Sequence, residues 1–384
     1  MAAQWKAVCD TFWSTKFWLP DGHTWADLKS KDSDVYLPQV EDINVSLAVG
    51  LLMLVVRYLY ESLVIVPFAK FLGVKDGKRY VKPNPVLEKA YSSHKGKASP
   101  GDLQILSKKT ELSIREVERW FFKRRLKDNQ TSMKKFRECS WHFLFYFSAF
   151  VYGVYILWER DWFWETKYSY VGWPNQHVDN PLYLFYLAEL GFYWSLLFSS
   201  LTDVKRKDFW EMTAHHLITI NLIYFSWILN FVRIGALIIL VHDVSDYWMA
   251  AAKMAKYSKH QTICEALFTC FIVIWIVSRM IIYPFRVLNS VVFEITEYVP
   301  PFSSHRLFTV LLLGLLVLHT IWTYLILKIA LQKFTHGALQ KDVRSDTESD
   351  ADLSDEDSEP EPTKTEMNGT KNLRTRNNNI SYKE

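Results

Sequence analysis

Residues 214–252 read AHHLITINLIYFSWILNFVRIGALIILVHDVSDYWMAAA. Two apolar stretches lie within it. One opens at Ala214-His215-His216-Leu217 and runs to Phe231; the other runs from Ile234 to Ala252 and carries His242, Asp243 and Asp246. Each is long enough to cross a bilayer as a helix. A charged side chain costs roughly 2.5–3.5 kcal/mol at the centre of a membrane helix, so aspartates and histidines held there point to a site. Asp243 and Asp246, three apart, share a helix face, whereas the successive His215 and His216 point about 100° apart. At most one of those histidines faces the aspartates squarely. Only residues 230–233 separate the two stretches, which makes them antiparallel neighbours.

Outward from this pair, apolar blocks recur at about 45–66, 140–158, 181–201, 263–284 and 307–331. With the two stretches above they predict seven spans in an all-α, polytopic membrane protein. Pro67 should break the first span, in which Arg57 and Glu61 are four apart and able to pair. The segment before it sets Trp5, Phe12, Trp13, Phe17, Trp18 and Trp25 among Lys and Asp, as an interfacial segment with its rings at headgroup level would. Between Lys70 and Cys139 stand 19 Lys and Arg against 8 Asp and Glu, so this segment is expected in the cytosol and the N-terminus in the lumen. Seven spans then leave the C-terminus cytosolic. Beyond Lys341 the chain is acidic and too polar to bury a core, which predicts a disordered tail. Within it Ser345, Thr347, Ser349, Ser354 and Ser358 each have an acidic residue three positions on, the context an acidophilic kinase favours. Four cysteines without paired spacing support neither a disulfide framework nor a zinc knuckle. Of the sequons, Asn129, Asn368 and Asn379 fall on the cytosolic side; Asn44 is lumenal but abuts the membrane.

In the basic segment, residues 111–127 set Leu112, Val117, Trp120 and Phe121 at helical spacing before Lys123-Arg124-Arg125, and Leu103, Ile105 and Leu106 suggest a preceding helix. The pair resembles the second and third helices of a homeodomain, though no clear first helix precedes it. Lys123 stands where a homeodomain uses Asn to read adenine, and an ammonium cannot make that bidentate contact, so no sequence-specific DNA binding is expected. A structural role, or one near anionic headgroups, fits better.

Several motifs converge on one family. Phe192-Tyr193-Trp194-Ser195-Leu196-Leu197-Phe198, the run from Asp203 to Phe209, His215-His216-Leu217, His242-Asp243-Val244-Ser245-Asp246-Tyr247 and Ala252-Lys253-Met254 resemble the ceramide synthases of the TLC-domain, or longevity-assurance, family. The early Phe17-Trp18-Leu19-Pro20, the homeodomain-like insert and Arg344-Ser345-Asp346 are similar to vertebrate-type members. Ala250 departs from the pattern where many relatives carry Glu. The resemblance implies N-acylation of a sphingoid base by a fatty acyl-CoA in the endoplasmic reticulum membrane. It implies that His215, His216, Asp243 and Asp246 are required, that the stretch from Val291 to Phe302 influences acyl-chain choice, and that the protein pairs with itself or with related synthases. It divides the chain into an N-terminal segment (1–44), a first membrane helix (45–68), a homeodomain-like module (69–130), a TLC catalytic domain (131–332) and a tail (333–384).

Chemically, a sphingoid ammonium must lose a proton before its nitrogen attacks a thioester. A histidine can take that proton, and a carboxylate on its other ring nitrogen can fix the tautomer, a role that suits Asp243 or Asp246. A second route has a histidine attack the thioester first. Acyl-CoA would enter as co-substrate with no cofactor, and Lys205, Arg206 and Lys207 could meet its phosphates. A metal site is the competing chemistry, but membrane iron enzymes use several separated histidine boxes and this chain has one His-His pair. Glu189, Arg279 and His319 also fall in spans and read as packing or pairing residues. The alternative to an enzyme is a TLC-domain protein that binds or senses lipid, which has no need to hold His215, His216, Asp243 and Asp246 in the membrane.

Overall fold

Every long apolar run becomes a helix. The computed structural model describes residues 4–5, 10–30, 35–74, 81–93, 98–128, 132–202 and 208–336. Lys205, Arg206 and Lys207, and Ser345, Thr347, Ser349, Ser354 and Ser358, lie outside the described residues. The main helices are α1 (Val40–Phe71), α2 (Pro85–Ser93), α3 (Pro100–Thr110), α4 (Ile114–Asp128), α5 (Ser132–Leu157), α6 (Asn180–Thr202), α7 (Phe209–Ile228), α8 (Val232–Tyr257), α9 (Gln261–Glu297) and α10 (Ser303–His336). Among the described residues six of them, α1, α5, α6, α8, α9 and α10, are long and apolar enough to cross a membrane. The protein is therefore an all-α, multi-pass membrane protein. The seventh expected crossing, α7, is a helix of 20 residues, but Glu211, His215, His216 and Asn221 keep it below that apolarity.

Prolines do not end the first or fifth of these spans. At Pro67 the chain stays helical to Phe71, because the ring falls in the first turn after a π-helical stretch, Glu61–Ile65, where a missing N–H breaks no bond. Pro284 lies inside a longer π segment, Ile276–Leu288, that continues the α-helical start of α9. Glu61 is 7% exposed and accepts from both Arg57 (2.7 Å) and Arg137 (2.8 Å), so the expected i,i+4 pair is joined by a third group from α5.

The hub is α8, with 56% of its core window buried against 17% for α1. It packs on α5, α9 and α7, while α6 bridges α1 and α7 and α10 closes the bundle against α7 and α9. Where α1 crosses α6, Gly50 and Gly191 let the backbones touch; a Cβ on Gly50 would come 2.9 Å from the Gly191 carbonyl oxygen.

One face of the bundle is capped by the N-terminal segment. Trp18, expected at headgroup level, is instead 1% exposed, stacked on Phe225 of α7 at 4.6 Å, with its carbonyl accepting from Ser304 of α10. Trp5 and Phe12 remain exposed. Trp227 donates to the Gln39 carbonyl, which fastens the start of α1 to the same face. Burial raises the Tyr36 phenol above its usual range, and the Asp42 carboxylate that accepts its hydrogen bond adds to this.

Toward the opposite end, α2, α3 and α4 enclose a small core of Leu87, Leu106, Val117, Trp120 and Phe121. The helix α2, which hydropathy alone did not reveal, completes a three-helix unit. Trp120 donates to the Lys82 carbonyl (2.7 Å), and Arg124 pairs with Glu88 of α2 while lying over the Tyr91 ring. Ser99 with Asp102, and Ser113 with Glu116, cap the starts of α3 and α4.

Candidate active site

Four helices, α6, α7, α8 and α9, bring their ionisable side chains together around the middle of α8, and α10 adds His319. Asp243 and Asp246 share a face in sequence, yet the structure gives them different partners. Asp246 receives Arg279 of α9, whose Nη2 reaches both of its carboxylate oxygens at 3.1 Å. The same nitrogen donates to the His242 carbonyl (2.6 Å) and Ser245 Oγ (3.3 Å), and Nη1 donates to His319 Nε2 (3.1 Å). Arg279 is 2% exposed, with its guanidinium over the Trp275 ring. A guanidinium only donates, so His319 carries its hydrogen on Nδ1. Asp243 instead adjoins Glu189 of α6. Both residues are 0% exposed; their carboxyl groups hydrogen-bond each other, and no other group of the protein donates to them.

The expected carboxylate behind a histidine is absent. His242 is oriented by its own helix: Nδ1 donates to the Ile238 carbonyl at 2.6 Å, which leaves Nε2 with its lone pair and no protein partner. Its ring packs 5.0 Å from His319 and 5.1 Å from Tyr283. His215 and His216 lie to one side, near Trp322 (5.4 Å from His215) and Tyr193 (6.1 Å from His216). Their Nδ1 atoms are buried without a partner, and no hydrogen bond joins either ring to Asp243 or Asp246. A buried polar atom without a partner costs about 1–3 kcal/mol, and a cluster of them is a reason to look for a substrate.

Such a substrate has a place. A narrow, mostly apolar cavity runs between α7, α8, α9 and α10. Tyr193 and His242 stand at one end; Leu222, Ile223, Ile234, Ile239 and Leu315 line its walls; Tyr170, Phe231, Val291, Ile295 and Phe302 stand at the other. From Phe231 to His242 the lining follows α8 for eleven residues, about 16 Å. The glycine at 235 matters here, since a Cβ would collide with the Tyr186 hydroxyl that holds the Val232 carbonyl. The two ends of the expected selectivity stretch, Val291 and Phe302, both line this cavity; His215, His216, Asp243 and Asp246 do not. Among the described residues no three His, Cys, Asp or Glu side chains converge so as to hold a metal ion.

The TLC domain family is matched over residues 135–328, half of the chain. The chain is 42% identical over 344 residues to ceramide synthase 5 of Homo sapiens, covering 89% of this chain and 88% of that one. It is 38% identical over 337 residues to ceramide synthase 3 of Homo sapiens (88% of each), and 34% identical over 349 residues to ceramide synthase hyl-1 of Caenorhabditis elegans (88% and 84%). The chain belongs to the ceramide synthase family. As a ceramide synthase it is an acyltransferase that moves a fatty acyl chain from acyl-CoA, its co-substrate, to the amino group of a sphingoid base.

In the sequence of this ceramide synthase His242 stands with the aspartates as an ionisable group inside a span, with no separate role. Glu189, Arg279 and His319 read as packing or pairing residues, and Arg279 does pair, with Asp246 and His319. The signal that marks all four is the same one that marked the aspartates, an ionisable side chain inside an apolar span.

Proposed function

We propose that His242 is the nucleophile of the transfer and that the apolar cavity holds the acyl chain. One observation carries this: a histidine with a fixed tautomer and an Nε2 without a protein partner lines a mostly apolar cavity. An acyl chain laid in the cavity brings its thioester carbon to that nitrogen. Nε2 attacks the carbon, the C–S bond breaks and CoA leaves as the thiolate. The sphingoid amine then attacks the acyl-imidazole, its bond to the ring nitrogen breaks, and neutral His242 returns. Of the two protons the sphingoid nitrogen loses, the first passes to the carboxyl pair of Asp243 and Glu189 and the second, shed as the amide forms, to the CoA thiolate. Asp246 is a positioning residue that acts through Arg279 on the His242 backbone. His215 and His216 flank the path by which the CoA end arrives. Val291 and Phe302 contribute to acyl choice as cavity wall.

The charge distribution supports a multi-pass arrangement in the endoplasmic reticulum membrane, with α7 as a seventh crossing. The capped N-terminal face is then lumenal, and the homeodomain-like unit of α2–α4 is cytosolic.

The test uses microsomes from cells lacking endogenous activity, given sphinganine and a panel of acyl-CoAs, with dihydroceramides detected by mass. His242→Ala, Asp243→Asn and His215→Ala, expressed equally with wild type, should each lower product at least about a hundredfold. Without sphinganine, a peptide spanning residues 232–257 of wild type should gain the acyl mass, and that of His242→Ala should not. Product formation by His242→Ala near the wild-type rate would overturn the assignment.

A further inference from the structure

The cavity's far end is built from three segments that meet only in the folded chain. Phe231, in the turn between α7 and α8, stacks on Phe302 with ring centroids 5.9 Å apart and planes 7° apart. On its other side Phe231 stacks on Trp173, at 5.4 Å and 4°. Trp173 belongs to the segment between α5 and α6, and Phe302 to the segment before α10. The three rings form a continuous pile across the end of the cavity, with Phe231 in the middle.

The pile is held from both sides. On the Phe231 side the backbone is fixed: Asn230 takes a left-handed conformation (φ 55°), is 1% exposed, and donates through its amide to the carbonyls of Pro174 (2.7 Å) and Gln176 (2.9 Å). Asn is among the few residues that take this conformation at low cost. Trp173 Nε1 donates to the Leu229 carbonyl (2.9 Å), so the two segments bond each other in both directions. Phe231 itself is tied back by its N–H to the Ser226 carbonyl (2.8 Å). Phe302 follows Pro300 and Pro301, and its side is tied by Ser304, which donates to the Trp18 carbonyl (3.0 Å), and by His305, which donates to the Val291 carbonyl (2.6 Å).

We infer that Phe231, backed by Trp173, is the floor against which the ceramide synthase measures acyl-chain length, so that specificity is set outside the stretch from Val291 to Phe302 as well as within it. This rests on the reading that the cavity holds the acyl chain. The terminal methyl of a chain anchored at His242 then meets the Phe231 ring. A chain too long for the space must displace a ring stacked on both faces, and a chain too short leaves that ring without contact. One methylene in an apolar pocket discriminates by about tenfold or more.

The experiment is the microsomal assay with an equimolar mixture of saturated acyl-CoAs of increasing length, read as the ratio of products rather than their total. Phe231→Ala should raise the ratio of longer to wild-type-preferred products about tenfold, and Phe231→Trp should shift it the other way. Trp173→Leu, which leaves the lining itself intact, should shift it in the direction of Phe231→Ala by less. A variant that merely folds poorly lowers all products together and leaves the ratio alone. Ile238→Phe, midway along the same wall, separates the two layers of the argument. If Ile238→Phe shortens the preferred chain while the Phe231 variants keep the wild-type ratio, the floor is elsewhere and the inference fails alone. If Ile238→Phe also leaves the ratio unchanged, the acyl chain does not lie in this cavity and the underlying reading fails with it.

Discussion

At the scale of single residues, Arg279 does most to arrange the site. Its guanidinium joins Asp246, the His242 carbonyl, Ser245 and His319, so four side chains or carbonyls from α8 and α10 depend on one side chain of α9. Removing one partner of a buried ion pair strands the other and typically costs about 3–5 kcal/mol, while replacing both with apolar groups is often neutral. Arg279→Leu should therefore lower the detergent melting temperature. Arg279→Leu combined with Asp246→Leu should restore most of the melting temperature without restoring dihydroceramide synthesis. Recovery of both would show that the pair serves stability alone. The helical period made it legible that Asp243 and Asp246 share a face, but period says nothing about the neighbours that face meets. One met Glu189 and the other Arg279, each more than thirty residues away in sequence. The sequence shows His242 in the span but not how its ring is oriented, because the acceptor is a backbone carbonyl, which carries no sequence signature.

At the scale of elements, the two halves of the chain were legible to different degrees. Apolar runs announce membrane helices by length, so each expected span has its helix, although the helices outrun the apolar runs, by eight residues at the start of α5 and thirteen at the end of α9. The helix α2 has the sequence PVLEKAYSS, with few apolar positions, and its identity depends on packing Leu87 and Tyr91 against Trp120 and Phe121. The start of α4 offers a local test. The Ser113 backbone N–H and hydroxyl both bond the Glu116 carboxylate and hold it below the usual glutamate range. A carboxyl held low stabilises the fold above its ordinary value of about 4.3, and that contribution is lost as pH falls through the lower folded value. Hydrogen exchange on the full-length protein should show the first turn of α4 opening faster as pH drops below that ordinary value, once intrinsic rates are corrected. In Glu116→Gln the opening should not change with pH over the same window.

At the scale of the whole molecule, charge and hydropathy together orient the chain, and the orientation has a direct check. A glycosylation sequon inserted in the exposed part of the segment between α5 and α6 should acquire an endoglycosidase-sensitive glycan, and the same insertion between α2 and α3 should not. The reverse result would invert every assignment of side made from the Lys and Arg excess. What hydropathy could not supply is the cavity, because an apolar side chain facing a cavity and one facing lipid look alike in sequence.

On the reading that the cavity holds the acyl chain, the aromatic pile is the closed end of a sleeve, on the face capped by Trp18, Phe225 and Ser304. A single-tailed donor can be threaded into a sleeve tail-first and withdrawn along the same line. Ceramide has two tails joined at one head, and only one of them can occupy the sleeve. On that reading the finished molecule is a poorer guest than the donor that entered, because one of its tails lies outside the sleeve.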